Sequence, residues 1–141
     1  MKQTDFFNGY LNFKVNSIGG RYLTNDSIQK LNLENIRIIG RSINKLPIYY
    51  LKMGSGSKKI LIWSQMHGNE ATSTKALLDT ISYFSTDGKF YLNNVTLHII
   101  PILNPDGALL YTRENYNKKD LNRDAALLSQ NESILLKNLY N

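Results

Sequence analysis

Apolar and polar positions alternate along this chain in three distinct ways, and each predicts an element. Asn35 to Ile43, carrying Ile36, Ile38 and Ile39, reads as a strand, and Leu46 to Met53 as a second; the short link Ser42 to Lys45 makes the two a hairpin. After the turn Gly54-Ser55-Gly56-Ser57, the run Ile60-Leu61-Ile62-Trp63 is continuously apolar, which predicts a strand buried on both faces of a sheet. The period then changes. Leu77, Leu78, Ile81 and Phe84 fall at helical spacing between Glu70 and Phe84, with Lys75, Asp79 and Ser82 on the polar side, and Thr86-Asp87-Gly88 ends the helix. Val95 to Leu103 is another buried strand, closed by the turn formers Asn104-Pro105-Asp106-Gly107. Leu128, Leu135 and Leu139 mark a last amphipathic helix whose apolar face needs a partner. Before all of these, Asn25-Asp26-Ser27 is placed to cap a short helix through Leu31. The order strand, strand, strand, helix, strand, long loop, helix is that of an α/β protein with a mixed sheet flanked by helices.

Composition narrows the class. The 141 residues include no cysteine, which excludes disulfide scaffolds and Cys-based zinc modules. No apolar run reaches the roughly 18–20 residues of a membrane span, and Met1 to Gly9 lacks the apolar core of a signal peptide, so a cytoplasmic location and no membrane partner are expected. The net charge of +6 raises the question of nucleic acid, but Lys and Arg are scattered from Lys2 to Lys137 without a zinc-finger or RNP pattern, and none is expected to bind.

In folds of this class, functional residues gather beyond the carboxyl ends of strands. Two polar segments fall there, Ser64 to Glu70 and Asn104 to Asp124. In the first, His67 and Glu70 stand three residues apart at a strand-to-helix turn, a donor pair suited to Zn²⁺; the competing reading is a helix start with Glu70 stabilised by the helix dipole and His67 exposed. The second offers Arg113, Asp120, Asn122, Arg123 and Asp124, which could grip a carboxylate or simply pair with one another on a solvated loop.

Four segments taken together, His67-Gly68-Asn69-Glu70, Asn104-Pro105-Asp106-Gly107, Thr112-Arg113-Glu114-Asn115 and Asp120-Leu121-Asn122-Arg123-Asp124, resemble the zinc carboxypeptidases of the carboxypeptidase A type in order and approximate spacing. Ile39-Gly40-Arg41-Ser42, Pro47-Ile48 and Gly54-Ser55-Gly56 extend the likeness upstream, so that it covers roughly residues 36 to 126. The resemblance implies a lead-in at residues 1–35 and a partial catalytic domain at 36–141. It implies that His67 and Glu70 are zinc ligands, that Asp120 orients the histidine from behind, and that Arg113 polarises the scissile carbonyl. It further implies that Asn122 and Arg123 hold the free carboxylate of a peptide substrate.

The chain also departs from that family. The family's second histidine ligand, its general-base glutamate and its substrate-covering tyrosine lie well beyond the Asn-Arg pair. Here the only other histidine, His98, falls inside a strand upstream, and Glu132 is too close to Asn122-Arg123 to be the base. Lys118 stands where the family usually has glycine, a place where a lysine should avoid a positive φ. The expectation is therefore the front half of a metallocarboxypeptidase, an incomplete zinc site and little turnover from this polypeptide alone, whether as a piece of a longer product or as a degenerate descendant. Two other readings remain: an N-acyl amino acid deacylase of the succinylglutamate desuccinylase or aspartoacylase type, against which Asp106-Gly107 and Thr112-Arg113 weigh, and a carboxylate-binding remnant without metal.

Overall fold

The computed structural model describes residues 9–140; the reading of the amino-terminal segment before Gly9 lies outside them. Its centre is a mixed four-stranded sheet in the order β1-β2-β4-β3, with β1 at Arg37–Arg41, β2 at Pro47–Met53, β3 at Lys58–Trp63 and β4 at Val95–Ile100. The hairpin β1–β2 is antiparallel and irregular between Ile38 and Gly40, β2 pairs antiparallel with β4, and β3 runs parallel to β4. The turn of the hairpin closes through the Ser42 N–H to Leu46 O and the Lys45 N–H to Ser42 O.

Helices cover both faces of the sheet. On one, α2 (Ala71–Ser85) presents Leu77, Leu78 and Ile81 to Leu51, Leu97 and Ile99, and Leu23 and Ile28 of the lead-in pack into the same cluster. Ile28 belongs to the short helix α1 (Asn25–Gln29); its cap is Thr24, one residue before the expected trio, and it ends before Leu31. On the other face Ile48, Tyr50 and Ile100 meet Leu121 of α4 (Leu121–Asp124) and Leu135, Leu136 and Leu139 of α5 (Asn131–Tyr140). The terminal amphipathic helix thus finds its partner in the sheet. A Cβ on Gly40 would lie 2.0 Å from a methyl of Leu135, so the absence of a side chain there lets α5 lie against β1.

Three expectations are corrected. β3 is an edge strand and not a strand buried on both faces, with Ile60 43% and Trp63 42% exposed, because among the described residues only β4 pairs with it. Asn104-Pro105-Asp106-Gly107 is a helix start and not merely a turn. Asn104 caps α3 (Pro105–Leu110) by accepting the Gly107 N–H at 2.9 Å, and proline fits the first helical turn, where its missing N–H goes unused. Leu128 has φ 52° and lies in the link between α4 and α5, outside the terminal helix.

Candidate active site

Because β3 and β4 are parallel neighbours, their carboxyl ends leave the sheet at the same end, and the loops that follow them lie side by side. The pairing extends past the strands through the Leu103 N–H to Ser64 O and the Asn104 N–H to Gln65 O. The approach of the two loops is close. A Cβ on Gly68 would sit 1.9 Å from the carbonyl carbon of Gly107, so the glycines of the two motifs are where their backbones touch. Asn104 holds the contact by donating to Met66 O at 3.2 Å, and Asp106 ties it to the hairpin by accepting from the Ser42 hydroxyl at 2.8 Å and the Asn44 N–H at 3.1 Å.

Four of the six expected site residues converge at this junction. Asp120, at the N-cap of α4, places Oδ1 3.1 Å from His67 Nε2 and accepts the Arg113 Nε–H on Oδ2, also at 3.1 Å. His67 Nδ1 lies 3.1 Å from Glu70 Oε1, toward which Arg113 Nη1 also points from 3.5 Å. Burial opposes ionisation of Asp120, but the hydrogen bonds from His67, Arg113 and the Asn122 N–H overcome it and hold the carboxyl at about 2. Asp120 is therefore a charged acceptor at neutral pH, which keeps a proton on His67 Nε2.

The other ring nitrogen then presents its lone pair to a carboxylate. Two acceptors 3.1 Å apart repel unless a proton or a cation lies between them, and a histidine nitrogen with a carboxylate oxygen is a donor pair that suits zinc. The fit is partial. Asp120 lies on the opposite side of the ring from Glu70, so only two donors converge, and among the described residues no group of three His, Cys, Asp or Glu forms a metal cage.

Asn122 and Arg123 follow directly on α4, both exposed, and among the described residues neither side chain has a hydrogen bond or ion pair that engages it. His98 is a strand residue, as expected: its Nδ1 meets the Tyr50 hydroxyl at 2.7 Å, and burial followed by repulsion from Lys52, Lys59 and Arg37 holds its pKa down. Lys118 departs from expectation with φ 57°, in the left-handed region. What the sequence reading missed lies underneath the loop: Asn115, Gln130 and Glu132 form a buried polar cluster, the Asn115 amide donating to Gln130 Oε1 at 2.9 Å and Glu132 Oε2 at 3.3 Å. The only signal for it was polar residues at the start of a helix with an apolar face.

Comparison with known proteins bears on the family and the fold. The family model described as zinc carboxypeptidase (peptidase M14) matches residues 22–132. Carboxypeptidase SOL1 of Arabidopsis thaliana is 29% identical over 124 residues, covering 73% of this chain and 25% of the relative. The metallo-carboxypeptidase of Burkholderia cenocepacia superposes with a TM-score of 0.69 at 18% identity, over 83% of this chain and 37% of that one. The murein-tripeptide amidase MpaA of Escherichia coli O157 does so with a TM-score of 0.53 at 26% identity, over 65% and 37%. The chain thus spans between a quarter and two-fifths of the length of these relatives. A match over residues 22–132, well over half of the chain, establishes that this chain belongs to the zinc carboxypeptidase family.

Proposed function

We propose that the chain carries the front half of a zinc-dependent carboxypeptidase site, acting on the last peptide bond of a substrate with a free carboxyl terminus. The observation that carries this reading is the histidine clamped by Asp120 on one nitrogen and facing Glu70 with the other. His67 and Glu70 would hold the metal, which when bound supplies Lewis acidity and a more acidic water. Asp120 keeps the His67 ring oriented and its far nitrogen protonated. Arg113 is anchored to Asp120 through Nε, leaving its terminal nitrogens to turn from Glu70 toward a carbonyl oxygen that gains charge. Asn122 and Arg123, exposed on the same short helix, would fork onto the terminal carboxylate.

Among the described residues two donors converge, which would hold zinc weakly, and no carboxylate other than Glu70 and Asp120 joins them to act as a base, so turnover by these residues alone should be slight. The amidase relative acts, by its name, on a murein tripeptide, which favours cell-wall peptides among the candidate substrates. The deacylase reading finds no support in the relatives reported above. Zinc competition against a chromophoric chelator tests the proposal: His67→Ala and Glu70→Gln should each weaken binding about tenfold or more, and unchanged affinity in both would overturn it. Binding of a short peptide and its C-terminal amide tests the carboxylate grip; the free acid should bind more tightly, and Arg123→Ala should remove the difference.

A further inference from the structure

The segment joining Arg113 to Asp120 has a single buried centre. Asn115 is 3% exposed, and each of its polar groups is used. Its Oδ1 accepts the Asn117 and Lys119 N–H groups, each at 3.1 Å. Its Nδ2 donates to Gln130 Oε1 and Glu132 Oε2. Its backbone N–H donates to Lys119 O at 3.0 Å, and its carbonyl accepts the Lys118 N–H at 2.9 Å. The loop is therefore wound around one amide. It closes on itself between residues 115 and 119, and Lys118 takes its left-handed φ inside that closure.

Asp120 is the next residue out, and its two oxygens must reach two different partners, His67 and Arg113. Neither bond tolerates a displacement of much more than half an ångström before its geometry fails. We infer that Asn115 is a positioning residue for the candidate active site: its side-chain amide sets the loop so that Asp120 meets the histidine and the arginine together. The choice of residue follows from the donors and acceptors around it. An aspartate would turn an oxygen on two acceptors, an alanine would leave the half-buried Asn117 and Lys119 N–H groups without their acceptor, and glutamine is one methylene too long to serve both sides.

The same logic supplies a rescue. In Asn115→Asp the new carboxylate opposes both Gln130 Oε1 and Glu132 Oε2; adding Glu132→Gln puts a donor at 132, and the Gln130 amide can turn its own N–H toward the carboxylate once the neighbouring charge is gone. The test compares the two variants with Ile81→Val, a core substitution in α2 away from the loop. Two readouts are taken on folded protein: exchange protection of the Arg113 Nε proton, and zinc affinity by chelator competition. Asn115→Asp should lose the Arg113 protection and about tenfold in zinc affinity. The double variant should recover both, and Ile81→Val should change only the melting temperature. Should Asn115→Asp not fold, Asn115→Ser, which keeps an acceptor for the loop, is read in its place.

Protection and zinc affinity that survive in the Asn115 variant, or a loss that Glu132→Gln does not restore, would overturn the inference. The zinc readout rests on the metal reading of His67 and Glu70, whereas the proton readout does not. A wild-type chain that binds no zinc would therefore defeat the proposed function and leave the role of Asn115 to be decided by exchange.

Discussion

Lys118 sits at φ 57° beside the site, where a side chain with a Cβ costs about 1–2 kcal/mol relative to the right-handed region. Glycine removes that cost and gives back about 0.5–1 kcal/mol through the freer unfolded chain. Lys118→Gly should therefore raise stability by up to about 1 kcal/mol, read as a higher denaturant midpoint at unchanged slope; a fall would show that the lysine stem contributes packing. Glu132 carries a second prediction. Its carboxyl is fully buried, Oε1 has no hydrogen-bond partner among the described residues, and burial, aided by Asp106, pushes its pKa above 4.5. An acid whose folded pKa is raised favours the fold only while neutral. Its stabilisation is present below about pH 4.5 and is lost as pH rises through the folded value. Glu132→Gln should then be more stable than the wild type at pH 7, with the advantage shrinking as pH falls through the folded value and gone by about pH 4.5; melting curves across that range decide it. The lysine was legible as an anomaly, because the family pattern marks the position, but the glutamate was not. A polar residue in the first turn of an amphipathic helix is ordinarily solvated, and only the tertiary placement of Asn115 and Gln130 buries it.

At the scale of elements, the four motifs work because two loops touch at a pair of glycines. Gly68→Ala would drive a Cβ into the backbone of Gly107, which no side-chain rotation can relieve. The loops must part, at a cost of about 1–3 kcal/mol, and His67 moves with the loop it belongs to. Chemical denaturation together with zinc competition should show both losses; an unaffected zinc affinity would mean that the loops can separate without carrying the histidine. The link from α4 to α5 is held by Asp124, which accepts the Ser129 and Gln130 N–H groups at 3.0–3.1 Å. Burial alone would raise its pKa, but these bonds and that of the Ser129 hydroxyl lower it, so its stabilisation is present above about 3.8 and lost as pH falls further. The pH signs of Asp124 and Glu132 are opposite although the residues lie in adjoining segments. The hairpin, α2 and the helix at the chain's end were legible from periodicity, as was the clustering of His67, Glu70, Arg113 and Asp120 from the motifs. The helix at Pro105–Leu110 was not, since Asn-Pro-Asp-Gly is equally good turn chemistry until Asn104 is seen capping it. The burial of β3 was not legible either, because an apolar run shows that a strand has two apolar faces and leaves open whether both are covered.

That uncovered strand governs the behaviour of the whole molecule. Among the described residues nothing pairs with β3 along one side, Ile60 and Trp63 lie more than two-fifths exposed, and an apolar groove of about 350 Å³ opens beside it between Leu61, Trp63, Met66, Leu121 and Leu136. Edge strands of this kind pair with other chains unless something blunts them, and among the described residues Lys58 and Lys59 at the strand's start are what does so. Opposing association is the net charge of +6, whose repulsion acts through solvent and is therefore screened by salt. Raising the ionic strength from 0.1 to 1 M shortens the screening length from about 10 to about 3 Å, removing the repulsion while leaving the apolar attraction in place. The chain should accordingly self-associate in a concentration-dependent way that salt strengthens, as read by sedimentation velocity. Ile60→Lys with Trp63→Lys places a charge on each face of the edge and should return the protein to monomer at high salt. Its melting temperature should hardly change, because both side chains are already half in water. A wild-type chain that stays monomeric at every salt concentration would mean that the charged ends of β3 suffice to protect its edge.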